Sequence, residues 1–570
     1  MKKIIETINK VKVKGISLVV AVANKIMNDI GFVETIDANV EFSKGQCYLT
    51  PGQRAKALVL STFADMRIPL THIKERTADM DLEYLLGTSI DRCGVDAFNI
   101  GRALEDIGEK NVNHIYEELA IGTLKENKIP VERLHGDTTS VSFYGEYDIE
   151  KMKLTDEEKA EILKIEKGYN KDGRAGDKQV IVGKIVTESG IPLTSQVLDG
   201  STSDIEWNKN ALDYYAKLQE QGIERCTYVA DCKLITRELV ERMNDPERRV
   251  PFVSRCPDNF NHLQAKRAKS KAYEEGEWLE IGQIGSGKNA SCYRGVTIKE
   301  TIFGTPMRLL VLESSQLVEK AEEAFVKKQK AVEVLVKALE KKNFACFADA
   351  EKEFKGFAKS KPLQFFDCVA EIQEEKQEKW PPGRRSATTT PVMTSVFSIK
   401  VRITTNREKR QEFIRNESSF VLISNIFEET LNDTDLLKTY KGQHVVESAF
   451  RHLKSPCLAS VIYLKNPKRI EALTMLLNFS LLIRAVIQYR MRDGLKDHME
   501  ANPDDIIRAG WGGKKLVSPT FQLFYEHSIN CKYERIEIGE YKFDWPNVET
   551  KAKVEPLLML MGFTVSTILC

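Results

Sequence analysis

Tyr440, Gln443, Glu447, Arg451 and Lys454 follow one another at steps of three and four residues. On an α-helix, at about 100° per residue, such steps place them on one narrow stripe. Val446, Ala449, Phe450 and Leu453 fall on an adjacent face and can bury the helix against a core. A carboxylate held among amide, phenol and cationic groups, on a helix anchored from its other side, could carry a metal ion to a phosphate backbone. The same spacing more often describes a solvated face with i,i+4 charge pairs, and the stripe alone favours that reading.

Two further carboxylates bear on that choice. Asp137 ends a predicted strand in His135-Gly-Asp-Thr-Thr-Ser140, and Asp231 ends another in Cys226-Thr-Tyr-Val-Ala-Asp231. Alone, each reads more readily as a turn former or helix cap. Carboxylates at strand ends of one sheet converge on one edge, where α/β folds place their sites. With Glu447 from a later helix, three carboxylates could surround a pair of Mg²⁺ ions, which take a few hard oxygen ligands and leave room for substrate phosphate. Two such ions activate a nucleophile and stabilise the leaving oxygen of a phosphodiester displacement.

The elements that must position these groups follow from the pattern. Residues 1–125 read as helices with short turns, Pro51-Gly opening one of them. From 126 to 257 the texture is α/β: paired strands at 131–137 and 140–147, strands at 179–187 and 192–198, a helix at 204–221, the strand ending in Asp231, a helix at 236–244 and a strand at 250–254. Residues 258–416 read as an insertion with strands at 277–284, 291–313, 365–377 and 393–404. They include a Lys/Glu-rich helix bearing Val332, Leu335, Val336 and Leu339, which forms a helical hairpin with a helix near 347–359. The strand 419–426 and the Glu447 helix return to the α/β texture in 417–500, and 501–570 forms a C-terminal region suited to dimerisation or DNA contact.

Bulk properties narrow the function classes. The chain has 570 residues, 42% hydrophobic and 29% charged, with a formal net charge of +1. That length implies several domains, and the near-neutral charge argues against a simple basic DNA-coating protein but not against a DNA enzyme. Eleven cysteines without a CxxC pair read as reduced thiols. Lys2, Lys3, Lys10, Lys12 and Lys14 before Ile16–Ala23 imitate a signal peptide, but the apolar pattern continues helically through Ile26, Met27, Ile30 and Phe32. The apolar run 472–483 is too short to span a bilayer and reads as a buried helix. Gly282-Gln-Ile-Gly-Ser-Gly-Lys288-Asn289 departs from a P-loop at Asn289 and is followed by strand-like sequence, so a hairpin turn is expected. His135 and His444 form no histidine cluster, which disfavours zinc. The basic runs 266–271 and 407–410 suit either DNA backbone or a solvated face.

Asp137, Asp231 and Glu447, with Tyr440-x2-Gln443-x3-Glu447-x6-Lys454, resemble a DDE transposase of bacterial insertion sequences, in the branch whose third motif reads Tyr-x2-Arg-x3-Glu-x6-Lys. The resemblance extends to Gly168-Tyr-Asn-Lys-Asp172, Asp199-Gly-Ser-Thr-Ser-Asp204 and Phe450-Arg-His-Leu-Lys-Ser-Pro456. It implies an RNase H-like catalytic core, interrupted by a mixed strand/helix insertion and preceded by a helical N-terminal domain that could bind DNA ends. The 216 residues between Asp231 and Glu447 leave room for the insertion.

The resemblance implies that Asp137, Asp231 and Glu447 hold two Mg²⁺ ions, with Mn²⁺ able to substitute. Tyr440 and Lys454 would contact the DNA end. Gln443 replaces the family's Arg; its amide could still hydrogen-bond a DNA phosphate but lacks the charge and bidentate fork, and Arg451 would supply the missing charge. The implied reaction is hydrolysis at transposon ends followed by attack of the 3′-OH on target DNA, with a hairpin route aided by a flipped base in this branch. Trp380, in Trp380-Pro-Pro-Gly-Arg-Arg385, is the aromatic considered for that base. The implied partners are inverted-repeat end DNA, target DNA and a second copy of the chain, in the bacterial cytoplasm and away from membranes. Two rivals stand beside this reading: an RNase H-like nuclease without strand transfer, and a transposase-derived DNA-binding protein impaired in catalysis.

Overall fold

The computed structural model describes residues 11–43, 48–64, 72–78, 80–88, 95–143, 147, 155, 159, 162–174, 176–260, 263–285, 287, 290–380, 382, 390–454, 466–538, 541–546 and 551–568. The chain divides into two compact units. Residues 1–252 and 439–570 form the first, and residues 253–438 form the second.

The first unit begins with β1 (Val11–Ser17), followed by helices α1 (Leu18–Asp29), α2 (Phe32–Asn39), α3 (Pro51–Ser61), α4 (Ala97–Gly108) and α5 (Val112–Glu126). The signal-like run Ile16–Ala23 thus ends a strand and opens a helix, and it is buried throughout. At α3 the expected Pro51 start is reinforced by a capping box, in which Thr50 and Gln53 exchange side-chain and backbone bonds.

The α/β portion of this unit comprises β2 (Arg133–Phe143), β3 (Lys178–Thr187), β4 (Pro192–Leu198), α6 (Asp204–Glu220), β5 (Thr227–Ala230) and α7 (Arg237–Met243), ending at β6 (Phe252–Arg255), where the division between units falls. Within the unit the strands run β4-β3-β2-β5. β3 is antiparallel to both neighbours, and β5 is parallel to β2. The two strands expected at 131–137 and 140–147 are one. Thr138, Thr139 and Ser140, which look like turn formers, continue β2 because their backbones pair with Gly183, Val182 and Ile181.

The second unit contains α8 (Gln264–Glu275) and the antiparallel strands β7 (Leu279–Ile284), β8 (Ser291–Ile302) and β9 (Thr305–Ser314). The P-loop-like stretch lies at the β7–β8 turn; Ser286, Lys288 and Asn289 are outside the described residues. Next come α9 (Ser315–Glu340), β10 (Asn343–Phe344), α10 (Phe347–Ala358), β11 (Phe366–Lys379), β12 (Val392–Thr405), α11 (Arg407–Ser418) and β13 (Ser419–Ser424). The expected α9–α10 hairpin gives way to a shared sheet. α9 packs lengthwise on α11 and, like α10, rests on the β10-β12-β11 sheet, where Phe325, Val332, Val336 and Ile399 form the core. In this unit Lys269 is buried with its ammonium on the Asn416 carbonyl, and Arg410 pairs with Glu322, so both basic runs contribute to internal bonds.

The helix α12 (Asp433–Lys441) crosses back into the first unit. There α13 (His444–Leu453), α14 (Pro467–Ala501), α15 (Phe521–Ser528), β14 (Lys532–Ile538), β15 (Tyr541–Pro546) and α16 (Lys551–Leu560) follow. β14 pairs with both β1 and β15. α14, at 35 residues, is longer than its apolar run suggested and is apolar enough to cross a membrane. However, 83% of its most apolar window is buried, as in a core helix. Its Ile470, Leu477 and Leu481 pack on Val180 and Val182 of β3.

Candidate active site

Parallel pairing between β2 and β5 sets Arg133 beside Thr227, Leu134 beside Tyr228 and His135 beside Val229. The same offset carries Asp137 to Asp231. β5 stops at Ala230, so both aspartates lie where the parallel ladder opens. Asp231 then turns the chain by accepting the Lys233 amide at 2.9 Å.

Asp137 accepts the Thr138 amide at 2.7 Å. Burial pushes its carboxyl up from 3.8 to about 6; Lys171 and the Thr138 bond oppose the rise, and the charges of Asp231 and Asp204 add to it. Asp231 is raised by burial, against its bond to Lys233, with Asp204 again adding to the rise. Asp204, in the first turn of α6, is therefore the third carboxylate of this group. Thr138 Oγ1 donates to it at 2.5 Å.

One cation faces all of them. Lys171 Nζ is 3.0 Å from Asp204 and 3.6 Å from Asp137, and it donates to the carbonyl and hydroxyl oxygens of Thr138. Its loop is fixed from below by buried Asn170, which donates to Ser142 and Gln179 and accepts the amides of Asp172 and Arg174. The next residue, Asp172, receives Lys454 at 2.6 and 2.8 Å, tying the end of α13 to the same loop. Lys171 and Asp204 were not chosen from sequence as primary site residues. Their signal was present in Gly168–Asp172 and Asp199–Asp204, but only the fold shows that these stretches meet at Asp137.

Glu447 stands differently. It is an exposed residue in the first turn of α13, whose Val446 and Phe450 pack on Val186 of β3. Asp231 and Asp204 both add to the rise of the Asp137 carboxyl. Among the described residues no three His, Cys, Asp or Glu side chains have the arrangement of a preformed metal site. Under the same helix, buried Lys184 of β3 lies 5.5 Å from the Phe450 ring centre, and burial pushes its ammonium down to about 7.

The proposed stripe from Tyr440 to Lys454 is not one helix. α12 ends at Lys441, α13 starts at His444, and Gly442-Gln443 form the break. Tyr440 is thus on α12, while Glu447 and exposed Arg451 are on α13. Gln443 turns inward: Nε2 donates to the Gly136 carbonyl at 2.9 Å, and Oε1 lies 3.3 Å from His135 Nδ1. His135 is buried, and burial, opposed by the Gln443 bond, pushes its ring down to about 4. Trp380 follows the last residue of β11, in the second unit, and is more than one-third exposed. A cavity of about 460 Å³ borders His444, Val445 and Ser448 of α13 but none of the aspartates.

A family model described as a domain of unknown function (DUF4277) matches residues 11–121, which run from β1 into α5. No curated protein matches the chain. Among solved structures, the chain is similar to a cryo-EM structure of piggyBac transposase in a synaptic complex with hairpin DNA, at 11% identity and a TM-score of 0.25. That match covers 50% of this chain and 60% of the other, and a likeness so slight defines neither fold nor chemistry.

Proposed function

We propose that the first unit is the catalytic core of a DNA transposase of the DDE type. The observation that carries this reading is the placement of Asp137 and Asp231, each two residues beyond the last β2–β5 pair, His135 and Val229. The strand order β4-β3-β2-β5, with two antiparallel partners on one side and a parallel one on the other, supports the RNase H-like core implied by the sequence resemblance. The second unit is then the insertion, and residues 1–125 are the candidate reader of transposon ends.

The donor chemistry fits divalent cations. Asp137 and Asp231 are hard oxygen donors whose ionisation is opposed by burial and by neighbouring carboxylates, so a cation between them relieves that cost. Asp137 and Asp231 would hold two Mg²⁺ or Mn²⁺ ions, with Glu447 supplied from α13. Bound there, such ions would supply Lewis-acid chemistry for phosphodiester displacement. Lys171 balances charge at Asp137 and Asp204, and Tyr440, Arg451, Lys454 and Trp380 are the proposed DNA contacts. A homodimer acting on paired inverted-repeat ends and target DNA in the bacterial cytoplasm completes the reading.

The test is incubation of the protein with end-containing duplex, target plasmid and Mg²⁺. Joined products are expected. Asp137→Ala, Asp231→Ala and Glu447→Ala should each abolish cleavage while retaining the fold and DNA binding. Cleavage without joining would make the protein a nuclease, and full activity in any one variant would remove that residue from the set.

A further inference from the structure

We infer that Gln443 is a positioning residue: it keys the α12–α13 break to β2 beside Asp137 and does not serve as a DNA-phosphate ligand. This rests on the catalytic reading of Asp137 given above. The carboxamide is engaged on both sides, with Nε2 on the Gly136 carbonyl and Oε1 facing His135 Nδ1. Because Nε2 is the donor to Gly136, Oε1 must accept, so His135 Nδ1 must carry a proton.

The residue type matters at this place. A carboxamide donates to a carbonyl and accepts from a ring N–H at once. A guanidinium has no acceptor, so it could meet Nδ1 only by moving the ring proton to Nε2, and a carboxylate has no donor and would leave the Gly136 carbonyl unmet. The backbone around it is shaped for the same contact. A Cβ on Gly442 would lie 2.9 Å from His135 Cε1, and a Cβ on Gly136 would lie 2.2 Å from the Tyr228 hydroxyl. The His135 ring is 1% exposed, so neither partner can step aside.

From this lock α13 starts in a fixed place. Its far end is tied through Lys454 to Asp172, beside the Lys171 that faces Asp137. Gln443 therefore sets where the Glu447 helix begins relative to the aspartate strand. The change from the family's Arg is a change of role, and it gives no support to a chain that has lost catalysis.

Two measurements test this in the full-length protein. In ¹⁵N-histidine NMR, with His135 assigned by its loss in His135→Ala, the ring should be the Nδ1–H tautomer in the wild type and lose that state in Gln443→Ala. In single-turnover cleavage of an end duplex, Gln443→Ala, Gln443→Arg and Gln443→Glu should lower the rate at saturating DNA by roughly tenfold or more. DNA affinity should stay within about twofold, and the salt dependence of binding should be unchanged.

A wild-type Nε2–H tautomer would overturn the inference whatever the protein does to DNA. So would tighter binding by Gln443→Arg with a salt slope steeper by about one, the mark of a phosphate contact. If the tautomer result holds but wild-type protein cleaves no DNA, the lock stands as structure, and both the catalytic reading and the positioning role fail.

Discussion

β2 and the β11–β12 ribbon are both long strand segments rich in polar side chains, and they use them in opposite ways. In β2, Thr138, Ser140 and Ser142 are buried, and each has a named partner in Asp204, Lys171 or Asn170. In β11, Glu371, Gln373, Glu375 and Gln377 bond chiefly to one another along the surface of the strand. A buried polar strand must satisfy every group and so fixes its surroundings; an exposed one mainly stays soluble. Only the first can hold reacting groups in place.

The contrast can be tested at six positions. Asp231→Ala should lower DNA cleavage on the order of 10³-fold or more, whereas Glu375→Ala should leave it unchanged, as read by single-turnover kinetics. Gly136→Ala, which drives a methyl into the Tyr228 hydroxyl, should destabilise the chain by about 3 kcal/mol in urea unfolding.

Asp137→Asn should stabilise the metal-free chain at pH 7 by on the order of 1–3 kcal/mol. The sign follows from the raised carboxyl. Between pH 3.8 and about 6 the folded chain holds a proton that the unfolded chain has lost, so wild-type stability falls across that window. The gain should therefore vanish below pH 3.8. Lys184 works in the opposite direction: its depressed ammonium makes stability rise from about pH 7 towards 10.5, and Lys184→Met should flatten that rise. Thr394→Ala in the ribbon should stay within about 0.5 kcal/mol of wild type. A large loss there would erase the contrast.

The elements that carry the candidate residues were legible where strand ends and helix starts announce themselves locally. Asp231 follows a short apolar strand, and Ser203 caps α6 just before Asp204. What could not be read was set by distant partners. Thr138–Ser140 have turn-forming side chains, yet pairing with β3 keeps them extended. The Tyr440–Lys454 spacing fits one helix, yet Gly442 lies against a histidine ring more than 300 residues earlier. The approach of Lys171 to Asp137 depends on a loop held by Asn170, whose partners lie in β2 and β3. The α9–α10 hairpin was misread because an apolar stripe does not say whether its partner is a helix or a sheet.

The division of the first unit between the two ends of the chain bears on its synthesis. The ribosome makes Asp137 and Asp231 early, then all of residues 253–438, before it reaches Gln443 and Glu447. At about 5–20 residues per second, that delay is on the order of 10–40 s. Throughout it Val180, Val182 and Val186 of β3 await Leu477, Leu481, Val446 and Phe450, which will cover them. The nascent core therefore keeps the apolar face of β3 only partly covered until residues 439 onward arrive, and the aspartates emerge well before the helix that carries Glu447.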